Sequence, residues 1–318
     1  MKYTFRNEKA RLFPEMVHIE ICTKCNYKCI HCPQGDPEGW IKREAVLMKK
    51  EHFCKVVDEV SRHRGILRMT TNGEPLLHPD IREFLNHVRS SNLYAATLTT
   101  NGALWNDEMI GLVVRPSNVK LVLDFSLDGL YKGTYEKIRR ARNYVTVLKN
   151  ILSLTELRNR RKAKHLHIMV NAIEQPSLPK EELDSFRKFW EPIVDRVIVR
   201  KYVDVRGLVG KLSGPMEAPP PERWPCVLLW TRIAVNPMGQ IRFCIDDWND
   251  DTVLGDYNIE RHTIADVWKK PELEELRKFH LKGTFGHPAC LECRNWEGLR
   301  WDYDYGVALR ELFSHKKP

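Results

Sequence analysis

The chain has 318 residues, a formal net charge of +9 and 42% apolar residues, enough to bury the core of one large domain or two small ones, which excludes a largely disordered chain. No apolar stretch approaches the roughly 18 residues of a membrane helix, and Met1-Lys-Tyr-Thr-Phe-Arg-Asn-Glu-Lys9 carries no apolar h-region of a signal peptide, so a cytoplasmic protein is expected. Nine cysteines in such a chain point to thiols that bind metal or react rather than to a disulfide scaffold.

Taken in chain order, residues 17–21 alternate and predict a first strand that ends at a cysteine-rich loop. Residues 49–63 predict a helix with Phe53, Val56, Val57 and Val60 on one face, then 66–70 a strand and 79–90 a helix burying Ile81, Phe84, Leu85 and Val88. Strands follow at 94–100 and 119–126, separated by a helix near 107–114, and one long helix is predicted over 135–157. A strand at 165–173, a helix at 180–190 and a strand at 194–200 complete the series. Six strands in βα order predict an α/β fold with a parallel sheet and helices outside it. Active sites in such sheets lie at the C-terminal strand ends, and the cysteine loop follows the first strand. Residues 201–225 hold three Gly and five Pro, which marks a boundary: 1–205 a first domain, 206–225 a linker, 226–318 a second domain.

The first cysteines read Cys22-x2-Cys25-x3-Cys29-x2-Cys32-Pro33. A bacterial ferredoxin run orders its gaps differently, and the two knuckles of a zinc site need a longer return than three residues. Cys25, Cys29 and Cys32 make sense as three thiolates of one loop on three irons of a [4Fe–4S] cluster, with the fourth iron open to a small molecule. The alternative is a structural zinc or a set of buried thiols. With Tyr27 and Lys28 inside the loop and His31 before the third cysteine, the segment resembles the signature of the radical S-adenosylmethionine (SAM) superfamily.

That resemblance implies a partial (β/α)6 barrel that binds SAM. The Gly-Gly-Glu-Pro motif of the family corresponds to Asn72-Gly73-Glu74-Pro75, with Asn72 in place of the first glycine; its backbone and Glu74 would hold the SAM amino group. Asn101, Ser126 and Asp128 close the third and fourth strands, and Arg139 is the candidate for the SAM carboxylate and ribose, with Arg140 and Arg142 as neighbours. The implied chemistry is one-electron cleavage of SAM to methionine and a 5′-deoxyadenosyl radical, which removes a hydrogen atom from the substrate. A flavodoxin or ferredoxin-type donor would supply the electron.

Cys226-x12-Gly239-x4-Cys244 and Cys290-x2-Cys293 form a second set. Residues 230–235 and 240–243 alternate around Asn236-Pro-Met-Gly239, a hairpin signal, and 264–280 predict a helix leading back to Cys290. Four thiolates fit either a zinc site or a fully ligated cluster. The pattern resembles the Twitch form of the SPASM extension, a small α+β domain holding one auxiliary [4Fe–4S] cluster, the count found among aminocyclitol dehydrogenases of the family. A fully ligated cluster suits an electron acceptor or relay. Cys22 and Cys54 are left over; Cys22, at the loop, is the candidate catalytic hydrogen donor of an epimerase, and both also read as buried small side chains.

The basic run Arg158-Asn-Arg-Arg-Lys162 reads as a solvated helix end, so nucleic acid is not the expected partner, and neither is a membrane. The function expected is oxidation to a ketone, or epimerisation, of a small hydroxylated substrate of sugar or aminocyclitol type. The alternative is a ribosomal peptide maturase, which commonly carries a leader-binding domain ahead of the barrel; 24 residues precede Cys25.

Overall fold

The computed structural model describes residues 9–36, 38–70, 72–202, 222–299, 301 and 305–314. Most of the proline-rich linker predicted at 206–225 lies outside the described residues.

Six strands, β1 (Met16–Ile19), β2 (Ile66–Arg68), β3 (Ala95–Thr100), β4 (Lys120–Ser126), β5 (Leu166–Glu174) and β6 (Arg196–Lys201), pair in sequence order and in parallel. The sheet does not close. On the far side of β1 it continues through β7 (Arg232–Val235), parallel to β1, and then β8 (Gln240–Arg242) and β9 (Val253–Asn258), both antiparallel. The predicted hairpin is therefore an extension of the barrel sheet, and β9 is a strand the periodicity did not reveal. The expected strand 230–235 begins only at Arg232, because Trp230 belongs to a helical turn, Leu228–Thr231.

Helices α1 (Lys50–Arg62), α2 (Ile81–Ser90) and α3 (Asp107–Val113) pack their apolar stripes on the outer face, where Phe53 of α1 stacks on Phe84 of α2 at 3.9 Å. β4 is buried through Leu121–Phe125, as is usual for a central parallel strand. No helix of the described residues is long and apolar enough to cross a membrane.

Two predicted helices are each broken in two. The span 135–157 is α4 (Lys132–Arg139) and α5 (Tyr144–Arg161). Arg140 ends α4 in the left-handed region, φ 51°, and its Nη1 donates to the Gly35 carbonyl at 3.1 Å. An arginine pays roughly 1–2 kcal/mol for that conformation, offset here by the bond and by the turn that places Arg139 beside the cysteine loop. Between the helices, Asn143 Oδ1 accepts the Tyr27 hydroxyl at 2.5 Å, tying the break to the same loop. The span 264–280 is Ile264–Val267 followed by Pro271–Lys282; Pro271 lacks the N–H that a continuous helix would need and instead opens the second helix.

On the concave face, Met16, Ile66, Ala95, Val122 and Met169 pack with Leu309 of the C-terminal helix Tyr305–Phe313. That helix closes the N-terminal end of the barrel. The opposite end, where the strands release their loops, stays polar.

Candidate functional site

Beyond β1 the chain forms a bridge between Cys22 and Leu47 and then the cysteine loop. The loop is turned on its own backbone, with the Cys32 N–H on the Cys29 carbonyl at 3.1 Å and the Tyr27 N–H on Cys25 Sγ at 3.4 Å. Burial pushes the Cys25 thiol up to about 12 and raises Cys29 and Cys32 as well; Cys29 further opposes ionisation of Cys25, and Cys29 and Cys25 that of Cys32. Three thiols so placed stay protonated alone and lose their protons to a metal. Two glycines permit the fold of the loop. A Cβ on Gly73 would lie 2.1 Å from the Cys22 carbonyl oxygen, and one on Gly35 would lie 2.2 Å from that of Cys29. Only a residue without a side chain allows such backbone approach.

The strand-end motifs converge on the loop. The Glu74 N–H donates to Lys24 O at 2.8 Å. The Glu74 carboxylate is buried, which raises its pKa, while the Asn101 N–H (2.7 Å), the Thr100 hydroxyl (2.8 Å) and the Leu76 N–H (3.1 Å) stabilise its charge. Pro75 begins the short turn Pro75–Leu77. Asn101 also donates from Nδ2 to Asn26 Oδ1 at 2.7 Å, inside the loop. Asn72, the departure from two glycines, donates from Nδ2 to the Asp247 carbonyl at 2.5 Å, so the side chain where the family has none joins this motif to the C-terminal part.

On the other flank, Arg139 is buried, with Nη2 2.7 Å from Asp128 Oδ2 and Nη1 3.5 Å from Cys29 Sγ. Asp128, at φ 55°, accepts the Ile173 N–H at 2.6 Å, and His31 Nε2 lies 3.5 Å from its second oxygen. His31 Nδ1 meets Gln175 Nε2 at 3.3 Å, while Gln175 Oε1 is buried without a partner among the described residues. Ser126 Oγ accepts from Asn171 Nδ2 at 3.2 Å. Sequence reasoning missed Asn26, Gln34 and Gln175. Gln34 donates to both Thr23 O (2.7 Å) and Asn72 O (3.1 Å); its place two residues past Cys32 was the available signal. Cys22 itself is buried, with its thiol donating to Lys24 O at 3.5 Å. Arg140 turns away to Gly35, and Cys54 lies on α1, half-buried.

The second set gathers from three separate segments. Cys226 precedes the helical turn into β7, Cys244 follows β8, and Cys290 and Cys293 flank the end of the turn Pro288–Leu291. Burial is the main cause that raises Cys226, Cys244 and Cys293, and Cys293 raises both Cys226 and Cys244, so the four form one cluster of thiols. Arg223 lies against them, donating to Cys290 O at 2.5 Å, with its guanidinium 3.9 Å from the Phe285 ring centre. The Cys226 N–H donates to His280 Nδ1 at 3.3 Å; burial, helped by Arg223, lowers that imidazole to about 4. Among the described residues no three metal-binding side chains close to single-ion distances, and a cluster in which each thiolate takes its own iron does not ask them to.

These donor sets fit the groups they are expected to hold: soft thiols in threes and fours for iron–sulfur clusters, and buried polar atoms such as Gln175 Oε1 beside the first set for an organic ligand.

The family model of the radical SAM superfamily matches residues 19–174, and that of an iron–sulfur cluster-binding SPASM domain matches 226–294. The chain belongs to the radical SAM superfamily. Its cofactors are accordingly SAM and [4Fe–4S] clusters, one of them auxiliary. A probable GTP 3′,8-cyclase of Methanococcus maripaludis is 30% identical over 140 residues, 44% of this chain and 45% of that one. A GTP 3′,8-cyclase of Clostridium botulinum is 27% identical over 173 residues, 54% of this chain and 50% of that one. The chain thus spans about half the length of the curated relatives it matches. Among solved structures, BtrN in complex with AdoMet and 2-DOIA is similar with a TM-score of 0.58 and 15% identity, over 93% of this chain and 99% of that one. SuiB of Streptococcus suis bound to S-adenosylmethionine gives 0.66 and 17%, over 94% and 75%. Both likenesses are of fold.

Proposed function

We propose that this radical SAM protein is an oxidoreductase or epimerase acting on a small hydroxylated molecule of sugar or aminocyclitol type, with the four-thiol set holding a cluster that accepts or relays an electron. The observation that carries the reading is the pairing of two unlike thiol sets in one chain: three from a loop at the C-terminal end of β1, four from the C-terminal part. When bound, the first cluster and SAM supply reductive cleavage of the sulfonium and the hydrogen-atom abstraction that follows.

The chain's own residues bind and orient. Cys25, Cys29 and Cys32 hold the first cluster and Cys226, Cys244, Cys290 and Cys293 the second. A carboxylate offers about four acceptor sites; Glu74 uses three on the protein, leaving one for the ammonium of SAM beside the Asn72–Pro75 backbone. Arg139, steadied by Asp128, presents its guanidinium toward the carboxylate or ribose, and Asn101, Ser126 and His31 line the remaining strand ends. In an epimerisation, Cys22 is the thiol that returns a hydrogen atom. A flavodoxin or ferredoxin-type protein supplies the electron.

Anaerobic reconstitution tests the reading: about eight irons per chain are expected, with SAM cleaved by the reduced protein. Zinc without visible absorption would overturn it. With candidate sugars or aminocyclitols, oxidation consumes SAM stoichiometrically and removes two hydrogens, whereas epimerisation in deuterated water leaves the connectivity and adds one deuterium. The fold likeness to SuiB, also solved with its precursor peptide SuiA, favours a second reading, a peptide maturase; a short precursor gene beside this one and its modification in the same assay would establish it.

A further inference from the structure

The concave face of the sheet carries a polar layer that neither cysteine set uses. Register places His18 beside Arg68 and Arg68 beside Thr97, and puts Thr99 beside Asp124, so these side chains share one face. Arg68 Nη2 donates to Thr99 Oγ1 at 2.9 Å, Thr99 Oγ1 lies 3.4 Å from Asp124 Oδ2, and Arg200 Nη2 lies 3.1 Å from that same oxygen. Asn171 Nδ2 holds the other Asp124 oxygen at 2.6 Å. Two guanidiniums therefore reach the Thr99–Asp124 pair, Arg68 at the hydroxyl and Arg200 at the carboxylate.

Their charges do not cancel. Arg200 pairs with Asp124, whereas Arg68 has no ion pair among the described residues and stacks instead over the Tyr305 ring at 4.8 Å. Both arginines are partly exposed, the Arg200 side chain by 40%. Behind them, His18 Nε2, Thr97 Oγ1 and the Tyr305 hydroxyl are buried with no hydrogen-bond partner among the described residues. Burial, then Arg232, Arg68 and Arg242, hold the His18 imidazole well below its ordinary pKa, so it is neutral; of these arginines, Arg242 is itself paired with Glu20 and Asp250. A low-dielectric wall with excess positive charge concentrates anions, and a planar guanidinium matches the two oxygens of a carboxylate or phosphate.

We propose that this layer is the anion subsite of the substrate: a carboxylate or phosphate-ester group docks between Arg68 and Arg200 over the Thr99–Asp124 pair. Asp124 stands two residues before the end of β4, about 7 Å below it, so a molecule anchored there extends up to the strand ends that face the cysteine loop. The substrate class narrows from sugars and aminocyclitols at large to a hydroxylated acid or a phosphorylated sugar or cyclitol. The inference rests on the radical SAM reading for what happens above the subsite, and on the arginine geometry alone for binding.

The test is calorimetry on the reconstituted holoenzyme with SAM, using inorganic phosphate, malonate and neutral myo-inositol as probes, beside a separate assay of SAM cleavage. Saturable binding of one anion per chain is expected, with phosphate and malonate competing and inositol silent; whichever anion binds tighter identifies the group. Arg68→Gln should weaken the anion tenfold or more. Arg200→Gln should do the same, because Asp124 is then left to neutralise Arg68, and Arg68→Lys should retain part of the affinity. Absence of saturable anion binding, inositol binding as tight as either anion, or unchanged affinity in both glutamine variants would overturn the proposal. If SAM cleavage fails while the anion binds, the superfamily chemistry is what is lost; if cleavage succeeds without anion binding, only the subsite is.

Discussion

The two thiol sets reach similar chemistry from opposite directions. Cys25, Cys29 and Cys32 come from one short loop, and their convergence is a matter of local backbone turns locked by Gly35 and Gly73. Cys226, Cys244, Cys290 and Cys293 come from positions up to 67 residues apart, and only the β7–β8 hairpin and the helix Pro271–Lys282 bring them together. The first set has Arg139 against Cys29, with Asp128 paired to that arginine. Arg223 stands beside the second set, where its charge couples first to Cys293, Cys290 and Cys226 and after them to Glu297. A site made locally tolerates distant change and fails on a single added atom, whereas a site gathered from afar depends on packing across the chain.

The largest expected effect separates the two sets outright. Cys25→Ala should abolish deoxyadenosine formation while leaving about half the iron; Cys226→Ala should also lose about half the iron yet keep SAM cleavage in the absence of product. Iron analysis with product chromatography reads both, and cleavage surviving in Cys25→Ala would remove the assignment of the first set. Next comes Gly73→Ala. A Cβ 2.1 Å from a carbonyl oxygen must displace the loop, for a loss of about 3 kcal/mol of stability, and SAM cleavage should fall at least tenfold. An equal loss of product formation with intact cleavage would place the damage elsewhere.

Smaller effects sharpen the electrostatic contrast. Removing a cation makes an added electron less favourable, so Arg223→Gln should shift the auxiliary cluster to a more negative potential in a redox titration followed by EPR. Arg139→Gln should shift the first cluster further, because it also leaves Asp128 uncompensated. The smallest change is Asn72→Gly, which restores the family's glycine and deletes the bond to Asp247; it should cost about 1 kcal/mol in denaturant unfolding and leave cleavage near normal.

Much of the barrel was legible because parallel strands and their helices carry strong periodicity: β3, β4 and α6 (Lys180–Trp190) fall within a residue of expectation. The two helices predicted too long failed for identifiable reasons. Pro271 was visible as a breaker, but the break at Arg140 was not, since an arginine in the left-handed region is chosen by its bond to Gly35 and not by its own propensity. The cysteine loop and the Gly73-Glu74-Pro75 turn were readable because their chemistry resides in residue type and spacing. Gln175 and Asn26 were not, because an amide acquires meaning only from the partner that faces it.

Sequence alone determined the parallel α/β order and the spacing of the nine thiols along the chain, since covalent spacing and hydrophobic period are properties of the chain. Tertiary structure decided that β7 extends the barrel sheet beside β1, that Asn72 bonds to Asp247, and that Arg68 and Arg200 both reach the Thr99–Asp124 pair. Those arginines lie more than 130 positions apart, and they become one feature only when parallel strands set β2 and β6 on the same concave face, in the same low-dielectric field.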